Sequence, residues 1–176
     1  MRKLIIYFLH LPMAIALISC GGDNPIEKQE ERIELYITSK MSKNPNLKLS
    51  NEGAVRYLYE PGDTTQAVVV GDSVYFYYLG TLVSDTLMYF DTNVKEFAEA
   101  LGLDTSHKEF APTGVVVGHN NLINGLSIGL KMVHPGDVGE IIFNSDYGFG
   151  DKKNGLIPEN SALIFKTEVV KIRKNQ

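Results

Sequence analysis

The sequence predicts an α+β fold, with several antiparallel strands and one short, very apolar helix among them. Three observations carry this. In the run VVVGDSVYFYYLGTL, Val74, Phe76 and Tyr78 fall on one face and Ser73, Tyr75 and Tyr77 on the other, the period of two that marks a strand. The run ALIFKTEVVKI repeats the pattern, with Leu163, Phe165, Thr167 and Val169 alternating against Ile164, Lys166, Glu168 and Val170. Between them, NNLINGLSIGLKM sets Leu122, Ile123, Leu126 and Leu130 along one side of a helix. A sheet must bury one face, and this helix is the only segment large enough to fill it.

The elements follow in chain order. The N-terminal MRKLIIYFLHLPMAIALISCGG has Arg2 and Lys3, an apolar run from Leu4 to Leu17, and then Ile18-Ser19-Cys20. The run is too short for a comfortable membrane span and has the form of an export signal. Leu17-Ile18-Ser19-Cys20 resembles the lipobox of bacterial lipoproteins, in which the cysteine is diacylated and becomes the first mature residue. The other reading is an ordinary secretory signal with an incidental cysteine. Cys20 is the only cysteine, so it has no disulfide partner within the chain. The expected organisation is a signal peptide over 1–19, a lipid-anchored linker with a short amphipathic helix over 20–52, and a folded domain over 53–176. Lipid chains contribute roughly 0.8 kcal/mol per buried CH₂, so several together anchor a protein stably.

GGDNP reads as a spacer, and Pro25 starts a helix that places Ile26, Ile33, Ile37 and Met41 on one side. Its acidic residues come early and Lys40 late, the order that suits the helix dipole. Such a helix either docks a partner or lies on its own domain. Asn44 to Asn51 is polar and loop-like, and AVRYLYE then reads as a strand. In VKEFAEALG, Val94, Phe97, Ala98 and Leu101 share a helical face that Gly102 ends. GVVVG is a short buried strand, Asn120 or Asn121 is expected to cap the central helix, Pro135-Gly136-Asp137 is a turn, and VGEIIF is a strand.

Composition excludes some function classes. The formal charge is −4 over 176 residues and no Lys/Arg stripe recurs along one face, so no nucleic-acid partner is expected. His10 lies in the signal, while His107, His119 and His134 are far apart and lack metal-ligand spacing. The serines lack a nucleophile-elbow setting. Neither a metal nor a cofactor is expected.

Five motifs in order carry a resemblance: GDSVYFYYLGTL, Phe90-Asp91, LINGLSIGLKMVHPGD, DYGFG and GLIPENSALIF. Over about Gly71 to Ile172 the chain resembles the FKBP-type peptidyl-prolyl cis/trans isomerases. That resemblance implies a curved antiparallel sheet of five to six strands wrapped around one short central helix, with a hydrophobic pocket between them. Here an N-terminal helix and an inserted helix around Val94 to Leu101 would be added. It also implies an isomerase of X–Pro bonds that assists the folding of exported or envelope proteins at a bacterial cell envelope. Its partners would be proline-containing unfolded polypeptides, a membrane through lipid on Cys20, and the macrocyclic inhibitors of the family. The alternative is a non-catalytic FKBP-like chaperone or partner-binding module.

The site residues implied by the resemblance are Tyr78, Phe90, Asp91, Leu122, Ile123, Leu126, Phe149, Leu156, Ile157 and Phe165. Tyr78 matches the pocket Tyr of the first core strand, and Phe90 and Asp91 the Phe-Asp pair. Leu122 and Ile123 match the two aliphatic residues that open the helix. Leu156 and Ile157 would close one side, and Phe165 would form a wall. Two positions depart from the pattern: the floor is Leu126 where the family usually has Trp, and the rim residue is Phe149 where it usually has Tyr. The segment between Asp91 and Gly118 is longer than usual, and it would either form a lid or block the pocket.

Overall fold

The computed structural model describes residues 24–45, 48–50, 52–84, 88–106, 108–119, 122–131 and 133–175. The signal 1–19, Cys20, and the proposed caps Asn120 and Asn121 lie outside the described residues. The first element is α1 (Pro25–Lys43). Asn24 caps it by accepting from the Ile26 N–H at 3.1 Å, Pro25 opens it, and Lys40 and Lys43 sit in its last turn. The strands are β1 (Lys48–Ser50), β2 (Ala54–Glu60), β3 (Ser73–Leu82), β4 (Tyr89–Thr92), β5 (Thr113–Val116), β6 (Val138–Phe143) and β7 (Leu163–Arg173). The short helices are α2 (Lys95–Ala100) and α3 (Asn124–Gly129). Among the described residues, no helix is long and apolar enough to cross a membrane.

One antiparallel sheet runs β1-β2-β6-β7-β3-β4, and β5 adds to β3 beside β4. β1 falls where the sequence reads as a loop. It pairs antiparallel with β2 and covers that strand's edge, a contact that local pattern does not display.

The inner face of the sheet packs on α3. Val74, Phe76, Ile141, Phe143, Leu163, Phe165 and Val169 form one buried cluster with Leu126 and Leu130. The contact is close because α3 turns glycines to the sheet. A Cβ at Gly125 would stand 2.1 Å from the Phe143 ring, and one at Gly129 would stand 2.2 Å from Ile141. The helix is shorter than its apolar pattern suggests. It starts at Asn124, with Ile123 in the cap position and no side-chain cap bond, so the expected asparagine cap is replaced.

The outer face is covered in part by α1. Ile33 and Ile37 pack on Val83, Ile142, Ala162 and Ile164, so the helix lies on its own domain. Beside them Glu140 is fully buried, receiving the Tyr36 hydroxyl at 2.9 Å and the Tyr59 hydroxyl at 2.5 Å, with Lys40 Nζ at 3.6 Å. The second inserted piece behaves differently. Of the expected apolar face of α2, only Ala98 is buried, while Phe97 is 48% exposed and Leu101 37%. A helix of six residues has little surface to bury, and its anchor is polar instead. Asn93, just ahead of it, accepts from the Tyr78 N–H at 2.7 Å and donates to the Phe76 and Ala111 carbonyls and to Thr113 Oγ1 at 3.0 Å. Those bonds fasten both ends of the insertion to β3. Gly102 ends the helical turn with φ +66°, a conformation in which glycine avoids the Cβ penalty.

Candidate active site

Alternation along β3 and β7 sends Tyr78 and Phe165 to the inner face, where α3 faces them. Across the β3–β4 pairing, Gly80 opposes Asp91, and a Cβ at Gly80 would meet the Phe90 ring at 2.4 Å. The missing side chain gives Phe90 a place to lie. From there its ring meets Phe165 edge-on, with centroids 5.6 Å apart at 74°. Phe165 also stacks on Phe143 at 5.9 Å and 13°, and Tyr78 leans on it at 5.9 Å. Aromatic pairs at such spacings add about 0.5–1.5 kcal/mol each beyond their area. Phe165 is thus fixed at the centre of three rings.

Leu126, Ile157 and Phe165 make the deepest part, at 5%, 4% and 6% exposure. Tyr78, Phe90, Leu122, Ile123 and Phe149 are partly buried against the same cluster and form its rim. Eight of the ten residues implied by the sequence therefore meet in this one apolar cluster. Asp91 joins them through a hydrogen bond, accepting from the Tyr78 hydroxyl at 2.6 Å.

Leu156 does not join them. Asn154 and Ile157 pair backbone to backbone at 2.9 Å in both directions, leaving Gly155 and Leu156 at the tip of a tight turn. Ile157 enters the cluster and Leu156 is 58% exposed beside Lys153 and Pro158. Its expected place in the wall is corrected accordingly: neighbours in such a turn cannot both face inward.

The polar edge of the cluster is a chain of three groups. Lys108, from the insertion, forms an ion pair with Asp91, and its ammonium stands 5.4 Å from the centre of the Tyr78 ring. The other carboxyl contact is the Thr92 N–H at 2.9 Å. Burial, then the hydrogen bond to Asp91 and its charge, hold the Tyr78 phenol well above its ordinary value of 10.0. Tyr78 therefore stays a neutral donor. Val94 and Phe97 of the insertion line a separate hollow of about 330 Å³ with Tyr59, Tyr77, Leu79 and Glu168. Among the described residues, no group of three or more His, Cys, Asp or Glu side chains stands together.

Sequence reasoning missed Phe143, Gly80 and Lys108. Alternation in VGEIIF points Phe143 inward with Ile141, so that signal was present. Gly80 and Lys108 act through contacts across the fold and left no local trace.

Comparison with known proteins bears on this geometry. A family model described as FKBP-type peptidyl-prolyl cis-trans isomerase matches residues 64–170. FK506-binding protein 2 of Aspergillus oryzae is 34% identical over 110 residues, covering 62% of this chain and 72% of that protein. A peptidyl-prolyl cis-trans isomerase of Schizosaccharomyces pombe is 32% identical, covering 58% of this chain and 79% of its own length. Among solved structures, FkpA from Escherichia coli superposes with a TM-score of 0.58 at 24% identity, over 84% of this chain. The match spans 61% of the FkpA chain, and it establishes the likeness of the fold.

Proposed function

The chain belongs to the FKBP-type peptidyl-prolyl cis-trans isomerase family, an enzyme family, and from that premise we propose that it speeds rotation about X–Pro bonds of exported and envelope polypeptides. The observation that carries this reading is the aromatic cluster centred on Phe165, with the Tyr78–Asp91 pair at its edge.

The chemistry follows from the amide. Rotation about the bond faces a barrier of roughly 18–20 kcal/mol because resonance must be broken. Cis and trans X–Pro forms lie close in energy, so a catalyst need only lower the barrier. The twisted amide carries less charge separation than the planar one. An apolar, water-poor site therefore favours it over the ground state, which is differential binding of the transition state. About 4 kcal/mol of such preference gives roughly a thousandfold acceleration. In this reading Phe90, Phe149, Leu122, Leu126, Ile157 and Phe165 surround the prolyl ring. The Ile123 amide donates to a substrate carbonyl, and Tyr78 with Asp91 borders the amide.

The lipobox-like Leu17-Ile18-Ser19-Cys20 supports a lipid anchor on Cys20 and a place in the bacterial cell envelope. The relatives named for binding FK506 support a macrocyclic ligand at the same cluster. One observation favours a second reading, a non-catalytic binding module. The floor is Leu126, itself 5% exposed, so a proline meets a small aliphatic floor in place of an aromatic one.

The test is turnover of a proline-containing peptide by the full chain, beside Phe165→Leu, which keeps apolar bulk. Activity that the macrocycle suppresses and the substitution lowers supports the isomerase. A folded chain no faster than buffer leaves the binding module.

A further inference from the structure

The rim residue Phe149 sits in a loop held by a few backbone hydrogen bonds, among them Lys152 N–H to the Phe149 carbonyl at 3.3 Å and Asn160 N–H to the Gly150 carbonyl at 2.9 Å. Gly148 and Gly150 flank it, and Gly150 has φ +64°. Glycines on both sides leave the ring direction unset by local sterics. Beyond its packing on the core cluster, two further backbone bonds beside it converge on one residue. The Ser145 carbonyl accepts from both flanking amides, Gly148 N–H at 2.9 Å and Gly150 N–H at 2.8 Å. Whatever holds Ser145 therefore holds both shoulders of Phe149.

Ser145 is 1% exposed, and its partner is Gln29 of α1, itself 5% exposed. The Gln29 carboxamide oxygen accepts from the Ser145 N–H at 2.7 Å, and its amino group donates to Ser145 Oγ at 3.0 Å. Next to it, Glu30 accepts from the Asn144 side chain at 3.1 Å. The side-chain oxygen of Asn144 in turn accepts from the Asp146 N–H at 3.1 Å and caps the short helical turn Ser145–Tyr147. One turn of α1 thus grips the start of the loop that carries Phe149. This helix lies outside residues 64–170, the part that the family model matches.

We infer that Gln29 is a positioning residue for the proposed site: through Ser145 it sets the orientation of Phe149 and thereby the grip on a bound proline. The inference rests on the isomerase reading only for its consequence in turnover. The positioning itself is a statement about the loop. Two buried hydrogen bonds that end on one residue are directional, unlike the apolar contacts of Ile33 and Ile37 further along α1. General loosening of the helix and loss of Gln29 should therefore read out differently.

The experiment compares Gln29→Leu with Ile37→Ala in the full chain. Gln29→Leu keeps the volume and deletes both hydrogen bonds, whereas Ile37→Ala weakens the apolar seat of α1 and leaves Gln29 in place. Two readouts are taken: KM and kcat for a proline-containing peptide, and hydrogen exchange at the Gly148 and Gly150 amides. Gln29→Leu is expected to raise KM about fivefold with kcat held within about twofold. It should also quicken exchange at both amides about tenfold. Ile37→Ala should lower the melting temperature and leave KM and both amides at wild-type values. Ser145→Ala, which loses only the hydroxyl, is expected to move both readouts the same way by about twofold, and it serves if Gln29→Leu does not fold. Wild-type KM together with unchanged amide exchange in Gln29→Leu overturns the inference. So does an equal rise of KM in Ile37→Ala, because α1 would then act only as a general brace. If the wild-type chain itself turns nothing over, the isomerase reading falls, and amide exchange alone decides the role of Gln29.

Discussion

The two faces of the sheet are held by different means. The inner face is joined to α3 by shape: Phe143 and Ile141 lie against glycines of the helix, and Phe165 is packed among three rings. The outer face is joined to α1 by placed polar bonds as well as by isoleucines, with Glu140 as a buried acceptor and Ser145 as both donor and acceptor to Gln29. A shape-matched face fails when volume is removed or added. A bonded face fails when one partner is lost and the other is left buried and unpaired. The contrast suits the roles: the inner face gathers apolar side chains with its polar groups at the edge, and the outer face keeps a helix in one register.

The largest effect expected is on the inner face. Phe165→Ala should lower stability by about 3–5 kcal/mol in urea denaturation, because three ring contacts and the centre of the core go together. Somewhat smaller is Glu140→Ala on the outer face, at about 2–3 kcal/mol, since the Tyr36 and Tyr59 hydroxyls lose their acceptor. The sharper distinction lies in activity. Glu140→Ala should leave the specificity constant of the folded protein unchanged. A drop in that constant would show that the faces are not separable.

The smallest effect is a titration. Burial, with the nearby carboxylates Glu140 and Asp91, holds the phenols of Tyr36, Tyr59 and Tyr78 well above their ordinary value of 10.0. A folded value above the unfolded one means that their contribution to stability is complete below pH 10.0 and is lost as pH rises beyond it. Phenolate absorbance should show these tyrosines ionising last. In Glu140→Gln the onset should move down for Tyr36 and Tyr59 and stay put for Tyr78. A shared shift of all three would erase the division between the faces.

Much of the inner face was legible in the chain. Alternation in β3 and β7 assigned Tyr78 and Phe165 to one side, and the order of five motifs placed Phe90, Leu122, Ile123, Leu126, Phe149 and Ile157 beside them. What stayed illegible depends on contacts made across the fold. Glu140 alternates outward in VGEIIF and reads as a solvated residue, yet α1 covers it completely. Leu156 and Ile157 are neighbours of similar chemistry, and only the turn closed by Asn154 separates them. Lys108 reaches Asp91 from an insertion whose own apolar pattern pointed to its burial, while Phe97 ends up half in solvent. Pattern shows which way a side chain leaves its strand, but not what will lie over it.

The most direct test of the inner aromatic cluster as the proline site is a titration of the isotope-labelled full chain with a short proline-containing peptide, followed by NMR. The account predicts that signals of Phe90, Leu126, Ile157 and Phe165 shift with added peptide while those of Ile33, Tyr36 and Ile37 remain in place. Shifts concentrated along α1, with the inner residues unmoved at saturating peptide, would contradict it.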